Sequence, residues 1–385
     1  MKLKILAIAD IHWGAMNSEI LYNNLSLVLD TIKNNSIDLV VVLGDYFDYK
    51  LALNSKQALF AIHWMDELIN TCKASNVKKI RILKGTHEHD NNQLEVFSKY
   101  DNGDGYFRLF NVNTIEETLP GLKCLYASDE NIYTKDYHTI YKDNLNSFLD
   151  VGFFHGNFDF AMPSMICEKY LNNEICNILF QYDIFSKIIR GPLVAGHWHV
   201  SMQHDRALYC GSFDRWKYGE EDPKGFYIID YDTDDYSYSL NFIENKNARI
   251  YKELSYNLSV DTESSFYTNI IEEVANKYNL TDEHIKLVFY NYSNDLSVSE
   301  YIDSIRRHFI NIPNVKIVEK TDKISKQKKE EIKSKEIDLK QEYAFIFDKS
   351  LSISEKIQNY IFLKKGKSIP VDIIDKFISP YIDIK

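Results

Sequence analysis

The stretch KILAIADIHWG, residues 4–14, is a short apolar run that ends in an aspartate and, two residues on, a histidine. An uninterrupted apolar run of this length reads as a strand buried on both faces. In extended or loop backbone, side chains at i and i+2 point the same way. Asp10 and His12 therefore offer an oxygen and a nitrogen to one small space. The form recurs. DLVVVL at 38–43 runs into Gly44-Asp45-Tyr46-Phe47-Asp48, and KIRIL at 79–83 runs into Gly85-Thr86-His87-Glu88-His89-Asp90. Residues 150–154 lead into His155, and 192–195 into Gly196-His197-Trp198-His199. Helical spacing fills the gaps, from Ser18 to Lys33 with Ser18 as N-cap and from Ser55 to Ala74. Alternating strands and helices predict a parallel α/β sheet, and such sheets bind ligands outside the carboxyl ends of their strands.

The residues at those strand ends are nitrogen and oxygen donors, with no thiolate among them. Imidazole plus carboxylate suits divalent ions such as manganese, iron, zinc or magnesium rather than thiolate-seeking ones. A pair of divalent cations about 3.5–4 Å apart can activate a water, shield phosphate charge and assist a leaving oxygen. Asp45, after a glycine that lets the backbone come close, is the expected bridging ligand. Asp10, His12 and His199 complete one shell, and His155 and His197 serve the other. His87 is the expected general acid, and Asp48 orients a histidine. Tyr46 and Phe47 either face substrate or fill the core. A lone Asp-x-His says little; five such clusters in order, each after a strand-like run, are the signal.

Beyond His199 the rhythm changes. Residues 207–209, 225–230 and 236–243 are strand-like with no room for helices, and are expected to complete a second sheet as antiparallel strands. The fold class is α/β: a two-sheet sandwich flanked by helices, with the metal site at one rim. From 251 to 320 follows a small α+β unit, with helices over 266–278 and 298–309 and strands over 284–290 and 315–319. Residues 320–340 are charged and nearly free of large apolar side chains, a linker or a solvated helix. From 350 to 382 helical periodicity returns on either side of a turn at Gly366. Gly366-Lys367-Ser368 is not a phosphate-binding loop, because Ile361 stands where that motif needs glycine. His63, His138, His284 and His308 fall inside regular elements and read as structural; His204 has no matching motif. Trp198 reads as packing.

The bulk numbers bound the function. With 45 Lys and Arg against 56 Asp and Glu, the 385-residue chain carries a net charge of −11. That excludes a protein that coats nucleic acid through general basicity, and leaves room for a local basic path. Five cysteines (Cys72, Cys124, Cys167, Cys176 and Cys210) show no paired spacing, which fits a reducing compartment. The N-terminal apolar run is shorter than a signal segment and no run reaches membrane-spanning length. The expectation is a cytoplasmic protein without a membrane partner.

Taken in order, Asp10-x-His12, Gly44-Asp45-x-x-Asp48, Gly85-x-His87-Glu88, His155 and Gly196-His197-x-His199 resemble the calcineurin-like metallophosphoesterase superfamily. Tyr209-Cys210-Gly211-Ser212-x-x-Arg215, Gly219-Glu220-Glu221 and Lys224-Gly225-Phe226 resemble the segment that closes the nuclease domain of the SbcD-type double-strand-break repair nucleases. The resemblance implies a nuclease domain over 1–250, a DNA-capping domain over 251–320, a linker over 321–349 and a helical tail over 350–385. It implies a two-metal, manganese-dependent DNA exo/endonuclease, a homodimer that works with an SbcC-like coiled-coil ATPase docked on the C-terminal helices. Arg215 and Tyr46 would be its substrate contacts. The AT-rich style of the chain suits a phage or a low-GC bacterium. One departure stands out: the family places asparagine where Thr86 stands. The hydroxyl, a water or His89 would have to serve in its place, and the second ion would bind more weakly. A small-substrate phosphatase on the same fold, and a non-catalytic scaffold, are the competing readings.

Overall fold

The structure is a computed structural model, and it describes residues 1–15, 17–90, 92–128, 148–162, 179–258, 264–280, 283–291, 296–321, 350–365 and 368–382. Two six-stranded sheets form the framework of residues 1–244. Strands β1 (Lys2–Ile8), β2 (Leu39–Leu43), β3 (Lys79–Leu83) and β4 (Phe107–Phe110) run parallel in that order. The second sheet contains β5 (Thr114–Leu119), β6 (Leu122–Ala127), β7 (Val151–His155), β10 (Leu193–Gly196), β11 (Met202–His204) and β12 (Ala207–Tyr209), in the order β11-β12-β10-β7-β6-β5. The short pair β8 (Asn157–Phe158) and β9 (Leu179–Phe180) lies apart.

Alternation along each strand explains the sandwich. Leu3, Ile5 and Ala7 of β1, and Leu39, Val41 and Leu43 of β2, share one buried cluster with Cys124 and Tyr126 of β6, Phe153 of β7 and Val194 of β10. The intervening Leu6, Ile8, Val40 and Val42 pack on the other face, against helices. Outward residues of the second sheet, among them Leu125, Phe154 and Leu193, form a third cluster with Phe185 and Ile188 of the helix α4 (Tyr182–Ile188). Each fully buried side chain contributes about 1.5–3 kcal/mol. A one-residue slip would swap every face, so the register is fixed.

One helical expectation changes in detail. The predicted helix over 18–33 is broken at Leu25 into α1 (Ser18–Asn24) and α2 (Ser26–Asn34), and its N-cap is Asn17, which accepts from the Glu19 amide, rather than Ser18. α3 (Lys56–Ala74) is capped by Ser55 and buries Ala61, Trp64, Met65, Leu68 and Cys72 against the first sheet, while Leu59 is exposed. The strands after the metal loops also sort differently from expectation. β13 (Gly225–Asp232) pairs antiparallel with β1 and carries β14 (Tyr238–Glu244), so both extend the first sheet. β12 is parallel to β10.

Further on come β15 (Ile250–Leu258), α5 (Ser264–Lys277), β16 (Glu283–Asn291), α6 (Leu296–His308) and β17 (Val315–Thr321), with the strands in a third sheet in chain order. The chain divides into two compact units. One holds Met1–Leu254 with Glu272–Leu287 and Phe309–Lys316; the other holds Ser255–Ile271, Val288–His308 and Ile317–Lys385. Within the second, Tyr267 stacks on Tyr301 and Tyr256 on Phe289. α7 (Ile353–Lys365) meets α8 (Val371–Ile382) through Ser354 to Asp375, and the Gln358 amide donates to the Ile369 carbonyl at 2.6 Å. Phe377 on α8 is 75% exposed. Of the expected linker over 321–349, Thr321 ends β17 and the rest lies outside the described residues, as do the turn at Gly366, His138, Cys167 and Cys176. No helix among the described residues is long and apolar enough to cross a membrane.

Candidate metal centre

The loops after β1 and β2 are laced together by backbone. Asp10, His12 and Trp13 amides donate to the carbonyls of Gly44, Asp45 and Tyr46, and the Asp48 amide donates back to Trp13. Asp90 ties in the third loop: its buried carboxylate accepts from the amides of Phe47 at 2.9 Å and Gly85 at 2.7 Å. Burial, and then the charge of Asp45, push Asp90 up to about 7. Close approach has a steric condition. A Cβ at Gly85 would collide with the amide nitrogen and carboxylate of Asp45. Asp10, His12, Asp45 and His197 all sit at positive φ, between 48° and 94°. Residues other than glycine hold this backbone only where the surroundings over-determine it, commonly at functional sites.

These constraints converge the side chains. Asp10, His12 and His199 bring ligand atoms within 4.8 Å of one another, and so do Asp45, His155 and His197. His12, Asp48 and His89 form a third such group. Asp45 faces two ways. Oδ1 lies 3.2 Å from His155 Nε2, whereas Oδ2 lies 4.0 Å from Nε2 of both His12 and His89. The histidines are oriented from behind. His155 Nδ1 is 2.6 Å from the Leu43 carbonyl, His12 Nδ1 is 3.2 Å from Asp48 Oδ1, and His199 Nδ1 is 3.3 Å from Glu220 Oε1. A carbonyl only accepts, so Nδ1 of His155 carries a hydrogen and Nε2 is the nitrogen that faces inward. Nε2 of His12 and His199 face each other at 3.2 Å. The His197 amide donates to both oxygens of Asp10 at 3.0 Å.

Electrostatically the cluster is in conflict with itself. Burial works to raise the Asp45 carboxyl, but the charges of His155, His12 and His89 outweigh it and hold it well below the usual carboxylate range. Asp10 is pushed well above that range, by burial first. Burial lowers His155, yet Asp45 and Asp10 lift it to about 10, while burial and the charge of His155 pull His197 down to about 4. Nε2 of His155 and Nδ1 of His197 are buried without a hydrogen-bond partner among the described residues. Orphaned ring nitrogens facing buried carboxylates fit divalent cations, which satisfy both.

Thr86 donates to Asp45 Oδ1 from both its amide and its hydroxyl, each at 2.7 Å. His87 is exposed on its turn, and the ring that reaches the cluster is that of His89, edge-on to His12. Tyr46 corrects its expected role as a substrate contact: it is fully buried, and its hydroxyl donates to the Ala61 carbonyl at 2.5 Å. Arg215 is likewise engaged elsewhere, its guanidinium donating to the carbonyls of Asp222 at 2.8 Å and Arg249 at 3.2 Å. Trp198 donates to Asn157 Oδ1 at 2.9 Å and packs against the third core cluster. Sequence reasoning assigned no role to Trp216, whose ring packs 4.4 Å from His12 and 4.5 Å from His199. It also assigned none to Glu220, although Gly219-Glu220-Glu221 was the signal at hand. A cavity of about 330 Å³ adjoins His197, His199, Tyr218 and Glu220.

The calcineurin-like phosphoesterase family matches residues 3–232, which hold every residue named in these clusters. No curated protein matches the chain.

Proposed function

The chain belongs to the calcineurin-like phosphoesterase family, whose chemistry is metal-dependent phosphoester hydrolysis, and we propose that its substrate is DNA. The observation that carries the proposal is the seating of residues 209–222, the stretch that resembles the closing segment of SbcD-type nucleases. It supplies Glu220 behind His199 and Trp216 over His12. Bound cations, manganese foremost, would activate water and shield phosphate charge. Asp10, His12 and His199 would hold one, His155 and His197 the other, with Asp45 between them. Asp48 and Glu220 keep the inward nitrogens of His12 and His199 aimed, and Asp90 holds two of the loops in register. His87 or His89 would deliver the proton to the leaving oxygen.

The same reading extends to architecture. Residues 1–250 are the hydrolase, 251–320 cap it on DNA, and the helices after 350 dock a coiled-coil ATPase of the SbcC kind. The exposed Phe377, Ile373 and Ile353 support a docking role for that tail. Homodimerisation, a cytoplasmic site of action and a phage or low-GC bacterial origin belong to this proposal. One observation favours a second reading: a cavity of about 330 Å³ beside the cluster has the size of a small-molecule site. Incubation with manganese and linear duplex DNA, and separately with an aryl phosphodiester, separates them. Cleavage of the duplex supports the nuclease; cleavage of the small ester alone supports the alternative.

A further inference from the structure

A second cavity, of about 820 Å³, lies within the first unit and is lined by Lys246, Asn247, Arg249, Tyr251, Glu283 and His284, among others. Its unusual member is Arg249. The side chain is 7% exposed, yet Nε and Nη2 have no hydrogen-bond partner among the described residues. The nearest carboxylate, Asp214, is already committed. Its Oδ1 accepts from the amides of Arg215 and Arg249, each at 2.7 Å, and its Oδ2 accepts from Asn24 at 3.3 Å. Oδ2 stands 3.7 Å from Arg249 Nε, which pairs the two charges but lies beyond hydrogen-bond length, so the guanidinium N–H groups stay unused. A buried guanidinium with unused donors is costly unless something completes it.

The surroundings say what that something is. His284 stacks on Tyr251 with ring centroids 4.5 Å apart and planes within 7°. Lys246 is exposed at the mouth. Guanidinium and ammonium outnumber the single carboxylate of the lining, Glu283, in a chain that is acidic overall, while burial favours the neutral form of the His284 imidazole. Arginine's planar fork matches phosphate oxygens, and a stacked ring pair can support a sugar or base edge. The cavity is also close to the metal cluster along the chain. Ala15, which lines it, follows His12 by three residues, and its amide donates to the His12 carbonyl. Asp214 precedes Trp216 by two.

We infer that this cavity is a phosphate-binding subsite, engaging through Arg249 a phosphate group of a nucleic-acid strand or of a free nucleotide. The inference rests on the phosphoesterase reading and deepens it, by adding a second point of phosphate recognition away from the cations.

The test uses the full chain in EDTA, so that no hydrolysis intervenes. Binding of a fluorescein-labelled oligonucleotide is measured by anisotropy across a salt series, and binding of inorganic phosphate by calorimetry. Wild type is compared with Arg249→Met and Lys246→Ala, with the thermal midpoint of each checked. If the strand is the source, Arg249→Met weakens oligonucleotide binding about tenfold or more and lowers the salt slope by about one. If the free anion is the source, inorganic phosphate binding is lost in Arg249→Met while oligonucleotide binding is unchanged. Either result supports the subsite. Both probes bound equally by wild type and Arg249→Met would overturn it. Should Arg249→Met fail to fold, Lys246→Ala decides: weakened binding of either probe supports the subsite, and unchanged binding of both contradicts it. Arg249-independent binding beside manganese-dependent DNA cleavage would sink the subsite alone. Arg249-dependent phosphate binding without DNA cleavage would sink the nuclease alone.

Discussion

Asp45 Oδ1 lies 3.2 Å from Nε2 of His155, and the other oxygen of the same carboxylate is turned toward His12 and His89. One side chain thus addresses both halves of the cluster. Asp45→Asn keeps the size and removes the charge. Outer groups around a metal typically contribute 10–100-fold to affinity or activity. A bridging carboxylate should exceed that, so turnover of an aryl phosphodiester is expected to fall more than about 100-fold, with both cation affinities reduced. Loss of one site alone, in calorimetry, would argue against bridging.

Glu220 acts from behind His199, at 3.3 Å from its Nδ1. Glu220→Gln should lower affinity for one cation by about 10–100-fold and leave the other near wild type. Manganese titration of the variant checks this, and an unchanged isotherm would remove Glu220 from the site.

Thr86 and the two histidines beside it make a three-way comparison. The Thr86 hydroxyl donates its hydrogen to Asp45 Oδ1, which fixes its orientation and leaves a neutral oxygen of shorter reach than an asparagine amide. Thr86→Asn is expected to tighten the weaker cation, and Thr86→Ala to loosen it. His89→Ala should damage cation binding, because its ring lies in the cluster. His87→Ala should spare cation binding and lower turnover, if the exposed ring delivers the proton. Equal losses of affinity in both histidine variants would contradict that division.

Much of this was legible in advance, for a local reason. β1, β2, β7 and β10 are largely apolar runs with a polar ligand at their end or within two residues of it, and β3 leads through Gly85 into the turn over 86–89, so both signals sit in one short window. Other features depend on partners distant in the chain. β4 and β5 carry Arg108, Glu116 and Glu117, so no apolar run announces them; they form because β3 and β6 offer edges. β13 joins the first sheet because β1 has an open edge, which its own sequence does not reveal. Tyr46 follows Asp45 by one residue, so its ring turns to the opposite side and enters the core. Trp216 contacts His12 across some 200 residues, beyond the reach of any motif.

Buried Arg81 supports the sandwich between β3 and β5. It is 1% exposed and donates to Glu116 at 2.7 Å and 3.1 Å and to the carbonyls of Ile80, Tyr106 and Gly105. Breaking a buried pair by removing one partner costs about 3–5 kcal/mol. The remaining carbonyls soften the loss, so Glu116→Ala is expected at the low end, about 3 kcal/mol, in urea unfolding. A change under about 1 kcal/mol would show the pair to be dispensable.

Thiol chemistry gives a pH-based check on the core. Burial pushes Cys72 and Cys124 up to about 12, and Cys210 higher still. The thiolate is the reactive form, so raising the pH from 7 to 9 should leave these three unlabelled in the native protein. Peptide mass spectrometry after iodoacetamide treatment should find them modified only in denaturant. Native labelling at pH 8 would place them at the surface.

The central claim is that Asp10, His12 and His199 share one cation while Asp45, with His155 and His197, shares a second. Crystals soaked in manganese, with anomalous scattering recorded at the manganese edge, test it directly. The account predicts two peaks about 3.5–4 Å apart, one within each trio and both beside Asp45. A single peak, or peaks seated away from these side chains, would contradict it.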